Sequence, residues 1–355
     1  MKKNFWEKLK KPFFVLAPMA DVTDFAQRQM LVKYGKPDVI YTEFVSADGL
    51  ASDKGREALL RDMRYGENEH PIVAQIFGSK PENIKKATQI LCKLGFDGIE
   101  INMGCPDRSV EKQGAGSALM KNSKLARELI RAAKEGAGKI PVSVKTRIGY
   151  NKNEIETWLP EILAEKPAVL TVHLRTRKEM SEVAAHWELA PRIVELARQH
   201  GVIIVGNGDV QSLADGKQKA RDSKMDGVMV GRAIFGNPWF FNKKNSIENK
   251  TLAERFAVMI EHAKLFEKEL IRENIHPHTY AAEKKNKSNN KKLKSFNPFE
   301  NNHDIGVGVK GYHVMKKHYK AYVSGFDGAK ELRAKLMETE NVKEVEEIVK
   351  EYLRK

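Results

Sequence analysis

The stretch Val142-Ser143-Val144-Lys145-Thr146-Arg147 decides the fold. It begins as a short apolar run, the pattern of a strand buried on both faces. It ends in two cations at period-two spacing, which puts Lys145 and Arg147 on one face. A lysine in an otherwise apolar strand is costly unless it is paired or put to use. The candidate strand there is Val142–Thr146, and seven more runs resemble it: Phe13–Ala17, Val39–Phe44, Ile72–Phe77, Gly98–Asn102, Val169–Leu174, Val202–Val205 and Gly227–Val230. Nearly every run ends in unusual chemistry: Pro18-Met19, Glu43, Gln75, Asn102, Lys145 with Arg147, His173 with Arg175, Asn207-Gly208-Asp209, and Gly231-Arg232.

Between the runs lie amphipathic segments: Pro81–Leu94, Lys124–Glu135, Glu154–Ala164, Leu189–Gln199 and Ser212–Ala220. Ser79-Lys80-Pro81 and Ser123 mark helix starts. Eight strands alternating with helices can form a closed barrel or a doubly wound open sheet. A barrel brings all eight C-terminal strand ends to one mouth, where active sites are built. An open sheet would use only its switch point. The strand-end residues therefore predict a (β/α)8 TIM barrel. From about Thr251 the strands stop, and Thr251–Ile271, Gly311–Tyr322, Gly328–Met337 and Val342–Leu353 read as helices. The expected class is α/β, with the barrel over 1–242 followed by a small all-α helical bundle over 243–355. Within the bundle, about 283–302 is a Lys/Asn-rich insert that cannot bury enough apolar surface to fold alone. It reads as a flexible loop or as a basic arm for phosphates.

The length of 355 residues suits one barrel plus a smaller domain. Hydrophobic residues make up 41% of the chain, which excludes a wholly disordered protein. Lys+Arg number 62 against 47 Asp+Glu, a formal charge of +15. Such an excess fits a polyanionic partner such as RNA, or a merely Lys-rich surface. Two cysteines, Cys92 and Cys105, cannot form a secreted-type disulfide framework, so a cytoplasmic location is expected. The apolar run after the basic N-terminus is too short for a signal core or a membrane span. A soluble protein, not bound to membranes, is expected.

Glycines in Asn207-Gly208-Asp209 and Gly231-Arg232 end the last two strands, where barrels often bind phosphate. The bland alternative is tight turns. Lys145 can form a Schiff base, offset charge on a reduced cofactor, or pair with Glu43 or Glu100. His173, beside Arg175 and Arg177, reads as a ligand contact or a satisfied core histidine. No cluster has zinc-like spacing, so no metal is predicted. Cys92 falls on the apolar face of its helix and reads as inert. Cys105 differs, because Asn102-Met103-Gly104-Cys105-Pro106 puts it in a Gly/Pro loop at the mouth. A free thiol is mostly protonated at neutral pH, so Cys105 can deliver a proton as well as act as a nucleophile. Gly114-Ala115-Gly116-Ser117 nearby reads as a hinge or as a plain loop-to-helix turn.

Taken in order, Ala17-Pro18-Met19-Ala20, Ala74-Gln75, Asn102 to Pro106, Lys145-Thr146-Arg147, the His173 segment, Gly206 to Asp209 and Val230 to Ala233 resemble the tRNA-dihydrouridine synthases, the bacterial type above all. The tail, from Met315-Lys316-Lys317-His318-Tyr319 through Gly325-Phe326 to Glu331-Leu332-Arg333, is similar to that family's helical domain. The resemblance implies an FMN-dependent reduction of the uridine 5,6 double bond, driven by NADPH, with tRNA as partner. Under it, Pro18, Met19 and Ala20 line the flavin, Gln75 and Lys145 hydrogen-bond its ring, and His173 lies against it. Asn207, Gly208, Asp209, Gly231 and Arg232 hold its phosphate. Cys105 is the proton donor, while Asn102, Arg147 and Arg175 contact the substrate. The barrel becomes the FMN-binding catalytic domain and the bundle the tRNA-binding one, in a monomer without a stable protein partner.

Two features depart from the pattern. Leu174 stands where the family often has glycine, which changes the pocket if that backbone lies near the ligand. The insert near Lys284–Lys294 is also foreign to it. Three rivals remain on the residues alone. A flavin barrel reductase of a small molecule, dihydroorotate- or ene-type, explains the cofactor set but not the tail. A Schiff-base aldolase would use Lys145. A non-enzymatic RNA-binding module has no need of Cys105, Lys145 and His173 at one mouth.

Overall fold

The structure, a computed structural model, describes residues 4–275 and 311–354, with backbone alone for 272–275. The insert at 283–302 lies outside the described residues. Eight strands are present: β1 (Phe13–Leu16), β2 (Ile40–Ser46), β3 (Ile72–Phe77), β4 (Gly98–Met103), β5 (Val142–Arg147), β6 (Val169–His173), β7 (Ile203–Asn207) and β8 (Gly227–Val230). All pairings are parallel, in the order β1-β8-β7-β6-β5-β4-β3-β2. β1 is held by β8 through four residue pairs, Phe13↔Gly227 to Leu16↔Val230. It meets β2 through one bridge, Val15↔Val39, which closes the ring. The chain is therefore the (β/α)8 barrel that the strand ends predict.

Period two divides each strand. Phe13, Val15, Tyr41, Val73, Val169, Val205 and Met229 cluster inside the ring, together with Trp6. Phe14, Leu16, Ile72, Ile99, Ile101 and Val144 belong to the outer cluster, which also holds the helix residues Ile84, Leu91 and Leu129. Trp6, only 1% exposed, lies against Phe13 and Tyr41 at ring separations of 5.8 and 6.4 Å and seals the floor. Each such buried side chain contributes roughly 1.5–3 kcal/mol. Above this floor the inward positions turn polar, and on β5 they are so throughout: Ser143, Lys145 and Arg147 follow one another up the strand.

One irregularity aims the mouth. On β2 the register steps from Tyr41↔Val73 to Phe44↔Gln75, so β2 carries an extra residue there. Such a bulge re-aims side chains. Phe44 comes to the cavity wall, while Glu43 accepts from the Asp21 backbone N–H instead. Of the two acids suggested as partners for Lys145, only Glu100 remains inside.

The predicted helix Pro81–Leu94 is found unchanged, with proline in its first turn and Gly95 ending it at φ +92°. Helices Phe25–Gly35 and Asp53–Asp62 were not expected. The first buries Gln27 and Arg28 among its apolar residues, Arg28 in an ion pair with Glu69 at 2.6 Å, and the second has no fully buried residue, only half-buried ones such as Leu59 and Leu60 against the core. Neither shows a clean apolar stripe.

After the barrel come helices Leu252–Ile275, Val314–Tyr322, Ala329–Met337 and Val342–Leu353. They share a core of Phe256, Met259, Met315, Tyr319, Leu332, Leu336 and Val345, to which Ala26, Met30 and Trp239 of the barrel also belong. Lys33 and Tyr34 both reach Glu261 at 2.6 Å. No helix among the described residues is long and apolar enough to cross a membrane.

Candidate active site

A cavity of about 300 Å³ opens at the C-terminal strand ends, at the small end of the range ligand pockets occupy. It gathers residues from all eight strands or the loops that follow them: Pro18 and Met19 after β1, Phe44, Gln75, Asn102, Lys145, Arg147, His173, Asn207, then Gly231 and Arg232 after β8. Cys105, Arg175, Gly208 and Asp209 also line it. Of the fifteen site residues predicted from sequence, Ala20 alone does not. Beyond Met19 the chain turns sharply: the Val22 and Thr23 N–H groups donate back to the Met19 carbonyl, and Asp21 takes a φ of +53°. The turn leaves Ala20 exposed to solvent.

The wall is strongly cationic. Lys145, Arg147, Arg175 and Arg232 face it, and Asp209 is the one carboxylate among the lining residues. Asp209 is bound by Arg175 and by Arg232, the latter at 2.7 Å. Burial opposes its charge, yet the Arg175 hydrogen bond and the Ala185 N–H hold its carboxyl below the usual carboxylate range. The carboxylate thereby fixes the Arg175 and Arg232 guanidiniums relative to each other. Gly208 has a φ of +132°, and a Cβ there would stand 2.7 Å from Ala185 Cβ and 3.4 Å from His173 Cδ2. Glycine is required by both conformation and space, which lets a ligand approach the backbone.

Burial lowers the basicity of His173 well below the ordinary histidine range, and the neighbouring Lys145 and Arg147 add to it. The imidazole is therefore neutral at pH 7. Arg175 Nη1 lies 3.1 Å from His173 Nε2. A guanidinium only donates, so Nε2 accepts and the ring proton sits on Nδ1. Arg175 also donates through Nε to the Val183 carbonyl at 2.7 Å. Only 2% exposed, it acts within the protein by holding His173, Asp209 and the loop after β6. Arg147 likewise donates to the carbonyls of Gly104 (2.8 Å), Thr176 (3.0 Å) and Met180 (2.9 Å). It ties the loop after β4 to the loop after β6, and burial pulls its basicity down to about 10.

Cys105 stands on the loop after β4. Burial pushes its thiol up, against the pull of the Asp107 backbone N–H. A thiol so placed keeps its proton at neutral pH. Asn102 Oδ1 accepts from the N–H groups of Gly104 (3.0 Å) and Cys105 (2.8 Å), which shapes this loop from below. A Cβ on Gly116, which has φ +60°, would lie 2.8 Å from the Cys105 carbonyl, and Ser117 N–H donates to that carbonyl at 3.0 Å. Gly116 thus serves close packing at a loop-to-helix turn, while Gly114 takes a left-handed φ of +70° with ordinary space around it. Cys92 is half-buried in its helix, its thiol raised by burial alone.

Leu174 is fully buried in the layer between strands and helices and does not line the cavity. Its side chain leaves the pocket width unchanged. Sequence reasoning did not single out Phe44, Ser181, Val210 and Met229 as lining residues. Phe44 depends on a bulge and Ser181 on the path of a long loop, neither visible in local pattern. Glu100 was considered only as an ion-pair partner. A lone acid in the apolar run Gly98–Met103 was signal enough to single it out.

A family model described as "Dihydrouridine synthase (Dus)" matches residues 15–304. A protein of Staphylococcus aureus (strain Mu50 / ATCC 700699) named "Probable tRNA-dihydrouridine synthase" is 37% identical over 355 residues, covering 99% of this chain and 96% of its own length. A "Probable tRNA-dihydrouridine synthase 2" of Bacillus subtilis (strain 168) is 38% identical over 359 residues, with 100% and 98% covered. Among solved structures, morphinone reductase overlays at a TM-score of 0.48 and 14% identity, covering 67% of this chain and 87% of that one, too loosely to bear on the chemistry.

Proposed function

The chain belongs to the dihydrouridine synthase family, and from that premise we propose that it reduces the 5,6 double bond of specific uridines in tRNA to 5,6-dihydrouridine. The observation that carries the reading is the pairing, in one cavity, of a buried, proton-bearing Cys105 with a cationic, glycine-lined wall. FMN fits that wall: its phosphate suits Gly208, Gly231 and Arg232, and its ring suits Pro18, Met19, Gln75, Lys145 and His173. Bound FMN, reduced by NADPH, supplies the hydride for C6 of the uracil ring. The chain's own groups do the rest. Cys105 gives its proton to C5 as negative charge builds across C5, C4 and O4. Lys145 sets a positive charge beside the cofactor ring. Neutral His173, with Nε2 held by Arg175, contacts the cofactor without adding charge. Asn102 and Arg147 shape the loops against which the nucleotide rests.

The base must leave its stack to enter such a cavity, and the RNA around it needs a basic surface. Residues 243–355 carry 24 Lys+Arg against 17 Asp+Glu, and residues 1–242 carry 38 against 30. The grip on tRNA is therefore shared, with the helices after the barrel as one part of it, and the enzyme works as a cytoplasmic monomer. The test is direct. Purified protein reconstituted with FMN turns yellow and, given NADPH and unmodified tRNA, adds two daltons to particular uridines by mass spectrometry. A colourless preparation that never takes up FMN, or tRNA unchanged in mass, sinks the proposal.

A further inference from the structure

Beneath the cavity sits a carboxylate that the reaction above does not use. Glu100 occupies an inward position of β4, two residues before Asn102, and is fully buried. Its Oε1 accepts from the Tyr41 hydroxyl at 3.0 Å and its Oε2 from Gln75 Nε2 at 2.6 Å. The bonds continue upward. Gln75 Oε1 accepts from Asn102 Nδ2 at 2.9 Å, and Asn102 Oδ1 accepts from the N–H groups of Gly104 and Cys105.

Each of the two amides can in principle be turned end for end, since oxygen and NH2 occupy nearly the same space. An ionised carboxylate removes that freedom because it only accepts. Gln75 must then show it the NH2 end, which leaves the Gln75 oxygen for Asn102. Asn102 must answer with its own NH2, which leaves its oxygen for the two backbone N–H groups of the cysteine loop. Reversing either amide would oppose donor to donor or acceptor to acceptor in a buried site, leaving polar groups there unsatisfied. Burial pushes the Glu100 carboxyl up to about 7, opposed by the Gln75 hydrogen bond and by the charge of Lys145, which stands in register with Asn102 on the next strand, so the acceptor-only form prevails above that pH.

We propose that Glu100 is a positioning residue for this reaction: its charge sets the sense of the Gln75 and Asn102 amides, and through them the backbone that carries Cys105. The inference rests on the uridine-reducing reading of the cavity. It also assigns Gln75 a fixed face toward the cofactor, because one N–H and one lone pair are already committed.

The test uses Glu100→Gln, which keeps the volume and loses the acceptor-only character, and Glu100→Asp, which keeps that character on a shorter arm. In the FMN-loaded enzyme, the tRNA-dependent reoxidation of pre-reduced flavin falls in Glu100→Gln by roughly tenfold more than the NADPH-dependent reduction does, and Glu100→Asp recovers part of the loss. Independently of turnover, iodoacetamide labelling mapped by mass spectrometry shows a changed ratio of Cys105 to Cys92 alkylation in Glu100→Gln. A folded Glu100→Gln enzyme with wild-type labelling ratio and wild-type reoxidation overturns the proposal. If Glu100→Gln does not fold, neutron diffraction from wild-type crystals decides. In crystals held well above pH 7, deuterons on Gln75 Nε2 facing Glu100 and on Asn102 Nδ2 facing Gln75 support it, and a deuteron on Glu100 overturns it. A wild-type enzyme that leaves uridine untouched would end the functional reading, while the labelling ratio and the neutron map would still judge what Glu100 does to the Cys105 loop.

Discussion

Two buried polar clusters in this molecule are built to opposite rules. At the mouth of the barrel Tyr41, Glu100, Gln75, Asn102 and the Cys105 loop hand hydrogen bonds from one to the next. In the helical tail His262 and His318 meet edge to face at 4.6 Å, with Tyr322 beside His262. All three are fully buried, and neither their ring nitrogens nor the Tyr322 hydroxyl find a partner among the described residues. A connected network fixes geometry, whereas an unpartnered cluster fixes only the protonation state that can be tolerated. The first is the arrangement a reaction needs. The second makes the tail sensitive to acid.

The largest effect tests what the mouth network serves. Replacing Cys105 by alanine removes the proton donor and leaves the connected amides in place. Reduction of tRNA uridine falls by roughly 10²–10⁴-fold, while NADPH-driven flavin reduction falls far less. Stopped-flow measurement of the two half-reactions separates them, and equal losses would show that Cys105 is no proton donor.

The next effect lies in the tail. Burial holds His318 down to about 4, with Asp24 pulling it up and Lys317 pushing it down. Burial holds His262 well below its ordinary range, and His318 adds to it. Folded-state values below the unfolded value of about 6.5 mean that neutral imidazoles stabilise the fold above that pH. This stability is lost as pH falls from about 6.5 toward 4, roughly 3 kcal/mol from His318 alone. Urea unfolding at pH 7 and pH 5 checks it, and His318→Phe should flatten the difference. A wild-type midpoint independent of pH over that range would contradict the burial argument.

The smallest effect compares two tyrosines, both fully buried. Tyr41→Phe deletes a donor to a carboxylate and costs about 1.5–3 kcal/mol. Tyr322→Phe deletes a hydroxyl without a partner among the described residues and is neutral or mildly stabilising. Thermal melts of the two variants side by side suffice, and equal costs would erase the distinction between the clusters.

Much of this was legible in the sequence. Strand runs and the polar residues closing them are local, so β3 and β8 have the predicted bounds and the others shift by a residue or two. Fourteen of the fifteen site residues meet in one cavity for the same reason. What stayed hidden is set across strands. The bulge that exchanges Glu43 for Phe44 depends on how β2 pairs with β3. The engagement of Arg147 and Arg175 with carbonyls depends on two loops meeting. Helix Asp53–Asp62 rests on the core only through half-buried residues such as Leu59 and Leu60, too few for a repeating apolar stripe.

The closure of the ring has a consequence for how the chain reaches this state. β1 leaves the ribosome first, yet its ladder lies on β8, more than 200 residues later, and its other neighbour offers a single bridge. Contacts so distant in sequence form late. During synthesis Phe13 to Leu16, and the Trp6 stopper below them, must wait without their partner strand until nearly the whole barrel has emerged. The first strand made is the last one sealed.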